Sequence, residues 1–305
     1  MKIIQGFPWI FFHIMIYLFQ VIKMKLIHFL FNKKEHIGIL DENDNIKLLD
    51  VSDFDSLINK YDLSDLKQLD NNIKPTIKRK DIIPLAFINK PKSDIICAGM
   101  NYYSHKDECI KEGVDNKERS ASVYFSKRAS NIITSGDIID RHSDITNECD
   151  YEGELGVILY KDLYKASKEE IYNSIFGYVI INDVSARDLQ RQHIQYYYAK
   201  SLDTYTVMSE LLVTKDTFTT YPNLNIKTYI NNELRQNDNT SNMIYSIEDM
   251  LYELSRGITL AKGTILSTGT PSGVGMGMNP KCYLNKDDVI RIEIENIGIL
   301  ENRCK

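Results

Sequence analysis

The chain has no Cys-x-x-Cys pair. Its five cysteines, Cys97, Cys109, Cys149, Cys282 and Cys304, are odd in number and scattered, so they fit neither a zinc site nor a disulfide framework. They read as free thiols of a reduced, cytoplasmic protein. A basic excess is also missing: 37 Lys and Arg stand against 42 Asp and Glu, a net charge of −5. That balance excludes the clustered positive face of a nucleic-acid binder. No Gly-Lys-Ser/Thr P-loop occurs, and Gly273, Gly275 and Gly277 miss the spacing of a dinucleotide fingerprint. Internal repeats and low-complexity tracts are absent.

Long apolar runs are scarce as well. The one candidate, Phe7 to Ile22, is interrupted by His13 and Gln20. It falls short of the roughly 20 apolar residues that cross a bilayer. No small-residue pair follows it where a signal peptidase would cut. A second start at Met24 opens a strand-like run, so residues 1–23 read as an upstream extension, with a membrane anchor as the rival reading.

What remains is an ordinary globular mixture, 43% hydrophobic and 26% charged, sufficient for one large domain or a large and a small one. Residues 24–50 alternate short apolar runs with polar turns, the pattern of a β meander. Residues 51–80 read as helical, with Phe54, Leu57, Ile58 and Tyr61 at i, i+3, i+4, i+7. Residues 81–91 read as an irregular linker. From Ile95 onward short apolar runs recur, with convincing helices expected only near 167–174 and 246–257. The expected fold is therefore mixed α+β and mainly β, with a small β/α region and linker at 24–91 and a larger domain at 92–305.

Five segments carry candidate chemistry. In Asp150-Tyr-Glu152-Gly-Glu154-Leu155 the two glutamates share one face of a strand that immediately turns apolar. Two such carboxylates repel unless a cation or proton intervenes, although a glutamate pair taken alone is ordinarily solvated. The apolar strand 177–181 ends in Asn182-Asp183, where Asp183 is either a third oxygen ligand or a helix N-cap. Three carboxylates without a His or Cys cluster suit a hard cation such as Mg²⁺. His105 and Glu108 are three apart, so on a helical turn the carboxylate can orient the imidazole as a base; scattered surface charge is the bland alternative. Lys200 follows the aromatic run Tyr196-Tyr197-Tyr198, which can line a pocket. The loop Ser267 to Gly277 offers backbone N–H groups and hydroxyls suited to a carboxylate, or is a plain tight turn.

Taken in order, Asn101-Tyr-x-x-His105-x-x-Glu108, Asp150-Tyr-Glu152-Gly-Glu154-Leu, Asn182-Asp183-Val-Ser-Ala-Arg187-Asp-x-Gln190, Ala199-Lys200-Ser and Thr268-Gly269-Thr270-Pro-x-Gly-Val-Gly resemble the fumarylacetoacetate hydrolase family. The likeness runs from about Ile95 to the C-terminus. It implies a homodimer whose catalytic domain is a β-sandwich or roll beside a small β-rich N-terminal region. It implies Mg²⁺ or Mn²⁺ held by Glu152, Glu154 and Asp183. It further implies a lid carrying His105 and Glu108, Lys200 against the substrate, and Arg187, Gln190, Thr268, Gly269 and Thr270 around a small carboxylate. The activity implied is C–C hydrolysis, decarboxylation or isomerisation of an oxo acid through a metal-stabilised enolate. A non-catalytic member that binds metal and a small acid is the alternative. One departure stands out: Ser209-Glu210 occupies a place where the family often has Gly-Pro.

Overall fold

A computed structural model describes residues 23–111, 113 and 121–305. The apolar segment 7–22, and with it the choice between extension and anchor, lies outside the described residues. Among those described, no helix is long and apolar enough to cross a membrane.

The first described element is a hairpin of Lys25–Phe31 and Lys34–Leu40. Its two turn residues, Asn32 and Lys33, both have positive φ, 50° and 63°, the backbone twist that two-residue hairpins require. A third strand, Asn45–Leu48, completes the expected meander. The helices Phe54–Lys60 and Leu63–Asn72 follow, each opened by an aspartate in a capping box, Asp53 and Asp62. The stretch read as an irregular linker contains the short strand Ile83–Pro84, which pairs with Lys25–Phe31. A two-residue strand lacks the alternation that would reveal it in sequence.

This meander continues into a twelve-stranded sheet, joined through Leu211–Thr214 to Ile175–Asp183, Gly153–Leu159, Ile265–Ser267, Ile95–Ala98 and Tyr124–Lys127. The strands Gly153–Leu159 and Ile175–Asp183 are buried along their whole length, which explains their near-continuous apolar sequence. Side-chain alternation divides them between two cores. Leu155, Val157, Leu159, Tyr178 and Ile180 pack toward a five-stranded sheet, against Ile226, Ile290, Ile292 and Leu300. Ile158, Phe176, Val179 and Ile181 pack toward Leu26, Ile37, Phe54 and Phe87 of the N-terminal region. The fold is mixed and mainly β. Residues 24–91 both extend its large sheet and cover one of its faces.

Both helices expected from periodicity are present, at Lys168–Ser174 and Ile247–Ser255, with capping boxes at Ser167–Glu170 and Ser246–Asp249. Three further helices, Tyr103–Lys111, Arg187–His193 and Tyr197–Lys200, are short, and Tyr103, Ile110, Tyr197 and Tyr198 are exposed on them. They lack the apolar stripe that would announce them.

Candidate active site

Antiparallel pairing brings the acidic residues together. Gly153 lies opposite Asn182 and Glu154 opposite Ile181, so Glu152 falls beside Asp183 at the end of the strand pair. The Asp183 N–H donates to the Glu152 carbonyl at 2.9 Å. Opposed residues share a face, so Glu152, Glu154 and Asp183 converge although Asp183 lies 29 positions after Glu154 in the chain. Each offers a carboxylate oxygen within 4.8 Å of the others, and all three are buried. Asp183 does not cap a helix: the helix that follows begins at Arg187 with Ala186 in the capping position.

Buried cations surround the trio. Lys200 Nζ donates to Glu152 Oε2 at 2.6 Å and to Asp183 Oδ2 at 2.7 Å. Lys127 Nζ bonds the other oxygen of Asp183 and the Tyr205 carbonyl. Arg187 spans Glu152 Oε1 at 2.6 Å and Asp150 Oδ2 at 2.8 Å, and reaches Gln190 Oε1 at 3.2 Å. Burial works against the charge of Glu152, but Lys200 and Arg187 outweigh it and hold the carboxyl well below the usual range. Lys200 is likewise raised, because Asp183 and Glu152 outweigh its burial.

Glu154 is the exception. It accepts from the Ser267 hydroxyl at 2.5 Å and the Gly269 N–H at 2.9 Å, and no described lysine or arginine forms an ion pair with it. Burial, Asp183 and Glu152 push it up to about 8. Four buried carboxylates, Asp150, Glu152, Glu154 and Asp183, thus face three buried cations, Lys127, Arg187 and Lys200. This excess of hard oxygen ligands suits a divalent cation of the magnesium type.

Above this floor runs the helix Tyr103–Lys111. The His105 ring is paired through Nδ1 with Glu108 Oε2 at 2.8 Å. Burial would lower the imidazole, but its contacts with Cys109 and Glu108 raise it to about 10. The second oxygen of Glu108 accepts the Gly273 N–H at 2.8 Å, which ties the helix to the glycine-rich loop. Gly277 makes room for this carboxylate: a Cβ there would sit 2.1 Å from it. Gly273, at φ 100°, holds a conformation that glycine adopts freely.

A cavity of about 460 Å³ is lined by His105, Cys109, Glu152, Arg187, Gln190, Lys200 and Thr270, among others. Thr268 and Gly269 do not line it. The Thr268 hydroxyl donates to the Leu155 carbonyl at 2.8 Å, and the Gly269 N–H serves Glu154. Thr270 donates to the Gly153 carbonyl at 2.9 Å and accepts from Gln236 Nε2 at 2.7 Å. The loop's hydroxyls therefore clamp the strand that carries the glutamates. Glu210 also lies away from the cavity lining, paired with Arg79 Nη2 of the N-terminal region at 2.6 Å.

Three contributors escaped the sequence reading. Asp150 accepts from the N–H groups of Gly275 and Met276 at 2.7 and 3.0 Å and from Arg187, locking the loop to the floor. Its position two before Glu152 was the available signal, since period two continues the acidic face. Lys127 closes an otherwise ordinary strand end, and Gln236 sits in a polar strand. Neither had a signal.

Over residues 94–305 the chain matches the family model described as fumarylacetoacetate (FAA) hydrolase C-terminal. It is 42% identical over 216 residues to the oxaloacetate tautomerase YisK of Bacillus subtilis (strain 168), covering 71% of each chain. Its structure matches that of a fumarylacetoacetate hydrolase (EaFAH) from psychrophilic Exiguobacterium antarcticum with a TM-score of 0.80 at 34% identity, covering 92% of this chain and 99% of that one. It also matches a 5-carboxymethyl-2-hydroxymuconate delta-isomerase from Mycobacterium smegmatis, TM-score 0.70 at 25% identity, over 92% and 99% of the two chains.

Proposed function

The chain belongs to the fumarylacetoacetate hydrolase family, and from that premise we propose that it is a divalent-cation-dependent enzyme moving a proton between the enol and keto forms of a small α-oxo acid. Glu152, Glu154 and Asp183 hold the cation, Mg²⁺ or Mn²⁺. When bound there, it supplies the Lewis acidity that stabilises an enolate next to a carboxylate. Lys200 keeps Glu152 and Asp183 ionised and oriented toward one centre. Arg187 and Gln190 bind the substrate carboxylate. Thr268 and Gly269 act by positioning the glutamate strand, while Thr270 both clamps that strand and lines the cavity.

The observation that carries this reading is the His105–Glu108 pair itself, held on the cavity that also exposes Glu152 and Lys200. The contacts of His105 with Cys109 and Glu108 favour the charged ring, which suits a group that gives and takes back one proton. It is placed to exchange a proton with the carbon of a substrate held in that cavity. In the enol-to-keto direction the hydroxyl proton passes to solvent, His105 protonates carbon and then regains a proton from solvent; the reverse reaction runs the same transfers backwards. Glu108 holds the ring in place and balances its charge. The relative of 42% identity bears a tautomerase name, in keeping with this choice. The working form is taken to be a homodimer.

The test is a panel of oxaloacetate, acylpyruvates and hydroxydienedioates, assayed with added Mg²⁺ or Mn²⁺. Faster enol–keto exchange without C–C cleavage is expected. Cleavage of an acylpyruvate, with oxaloacetate exchange no faster than without protein, would transfer the reading to hydrolysis.

A further inference from the structure

The helix Tyr103–Lys111 carries one chemical group that proton transfer leaves unused. Cys109 stands one turn after His105, and its Sγ lies 3.7 Å from His105 Nε2. The other nitrogen of the same ring is held by Glu108 at 2.8 Å. Sulfur, imidazole and carboxylate are thus in series, the order in which a general base and its orienting group activate a cysteine. Cys109 also lines the 460 Å³ cavity. Cys109 is buried beside Val274 and Met276, and among the described residues no other thiol lines this cavity. Cys97, Cys149 and Cys304 are buried in the cores, where burial pushes each thiol up, Cys149 to about 12. Cys282 is half-buried and outside the cavity lining.

A second observation indicates what enters the cavity. Arg187 is 2% exposed and lines the same space, and its Nη2 has no hydrogen-bond partner. A buried guanidinium N–H left unpaired is costly, and an anionic oxygen of a ligand satisfies it best. The cavity therefore sets a nucleophile and a carboxylate anchor around one small molecule.

We infer that Cys109 adds covalently to unsaturated oxo acids, small carboxylates whose C=C bond is conjugated to a ketone, and that the adduct blocks the cavity. The inference rests on the reading of this cavity as an oxo-acid site. The step is a net addition. The S–H bond breaks and an S–C bond forms at the carbon β to the ketone. The π pair moves onto the ketone oxygen as an enolate. The proton lost from sulfur then reaches the α carbon by way of the His105 ring. Nothing is oxidised or reduced, and no group leaves. An enone acid arising near this enzyme would thus switch it off.

The probe is trans-4-oxopent-2-enoate, applied to the full chain and read by intact mass and peptide mapping. One probe per chain is expected on Cys109, ahead of Cys282. Labelling should slow when the saturated 4-oxopentanoate competes, slow in His105→Gln and vanish in Cys109→Ser, whose fold is checked by thermal unfolding. Should that variant not fold, mapping and competition on the unaltered chain still decide. Labelling that falls first on Cys282, ignores 4-oxopentanoate or does not occur overturns the inference. Oxaloacetate exchange is measured separately on unlabelled protein. An active protein that takes no label removes this inference alone. An inactive one that takes the competed label on Cys109 removes the proposed reaction and leaves the thiol assignment standing.

Discussion

The floor and the roof of the cavity are built on opposite principles. The floor is two wholly buried strands whose acidic ends are locked by Lys127, Lys200 and Arg187. The roof is a nine-residue helix with only His105 and Cys109 buried. It is attached by the Glu108–Gly273 bond and by Ser104, which donates to Asp238 at 2.6 Å. A cation site gains from rigidity and exclusion of water, because its field then acts in a low dielectric. A group that meets the reacting carbon must let substrate in, which suits a lightly anchored element. On the proposed function, stability and cation affinity belong to the floor and turnover to the roof.

The largest effect should come from the floor. Asp183→Ala leaves Lys127 and Lys200 without their shared carboxylate, and removing one partner from buried ion pairs costs about 3–5 kcal/mol. Denaturant unfolding should show that loss, with cation binding and turnover gone together. The comparison breaks if Asp183→Ala remains as stable as the wild type.

Roof substitutions should cut turnover and spare the cation. His105→Ala is expected to lower it by about 10²–10⁴, the usual contribution of a positioned proton-transfer group. Glu108→Ala should do the same, and the double variant should cost little more, since the pair acts as a unit. Gly277→Ala displaces the Glu108 carboxylate without deleting it. A displacement of that kind costs about 10² in turnover. Metal titration beside steady-state kinetics checks all of these, and a loss of cation affinity in the roof variants would erase the distinction.

The roof also predicts a pH signature in chelator-treated protein. His105 is raised from 6.5 to about 10. The stabilisation from its charged form is complete below the unfolded value near 6.5 and is lost as pH rises through about 10. Unfolding free energies of wild type and His105→Gln should therefore converge at high pH. A gap that widens instead reverses the sign. The smallest effect belongs to a site remote from both. Arg79→Ala strands the buried Glu210 and should cost about 1–3 kcal/mol in unfolding experiments while turnover is unchanged.

The floor was far more legible in sequence than the roof. Glu152 and Glu154 two apart before an apolar run, and Asp183 ending another, became a ligand set through the family resemblance, whereas the antiparallel register and the Lys127 that locks Asp183 had no local signal. The His105–Glu108 spacing was readable because three residues make a helical turn. Its anchor was not: Gly273 and Gly277 serve Glu108 across 165 and more residues of chain, and no local pattern encodes such a contact. The loop's hydroxyls invited assignment to a ligand because sequence shows donors without their acceptors. The structure gives those of Thr268 and Thr270 to the carbonyls of Leu155 and Gly153. Strand positions were legible as short apolar runs, whereas the role of residues 24–91 in covering a sheet face depends on long-range pairing with Leu211–Thr214.

The most direct measurement is calorimetric titration of chelator-treated protein with Mg²⁺ or Mn²⁺ at neutral pH, in buffers of different ionisation enthalpy. With Glu154 pushed up to about 8, the cation should displace a proton from it. One cation per chain should bind with proton release, and Glu154→Gln should abolish the release. Absence of binding, or equal binding by Asp183→Ala, would contradict the account.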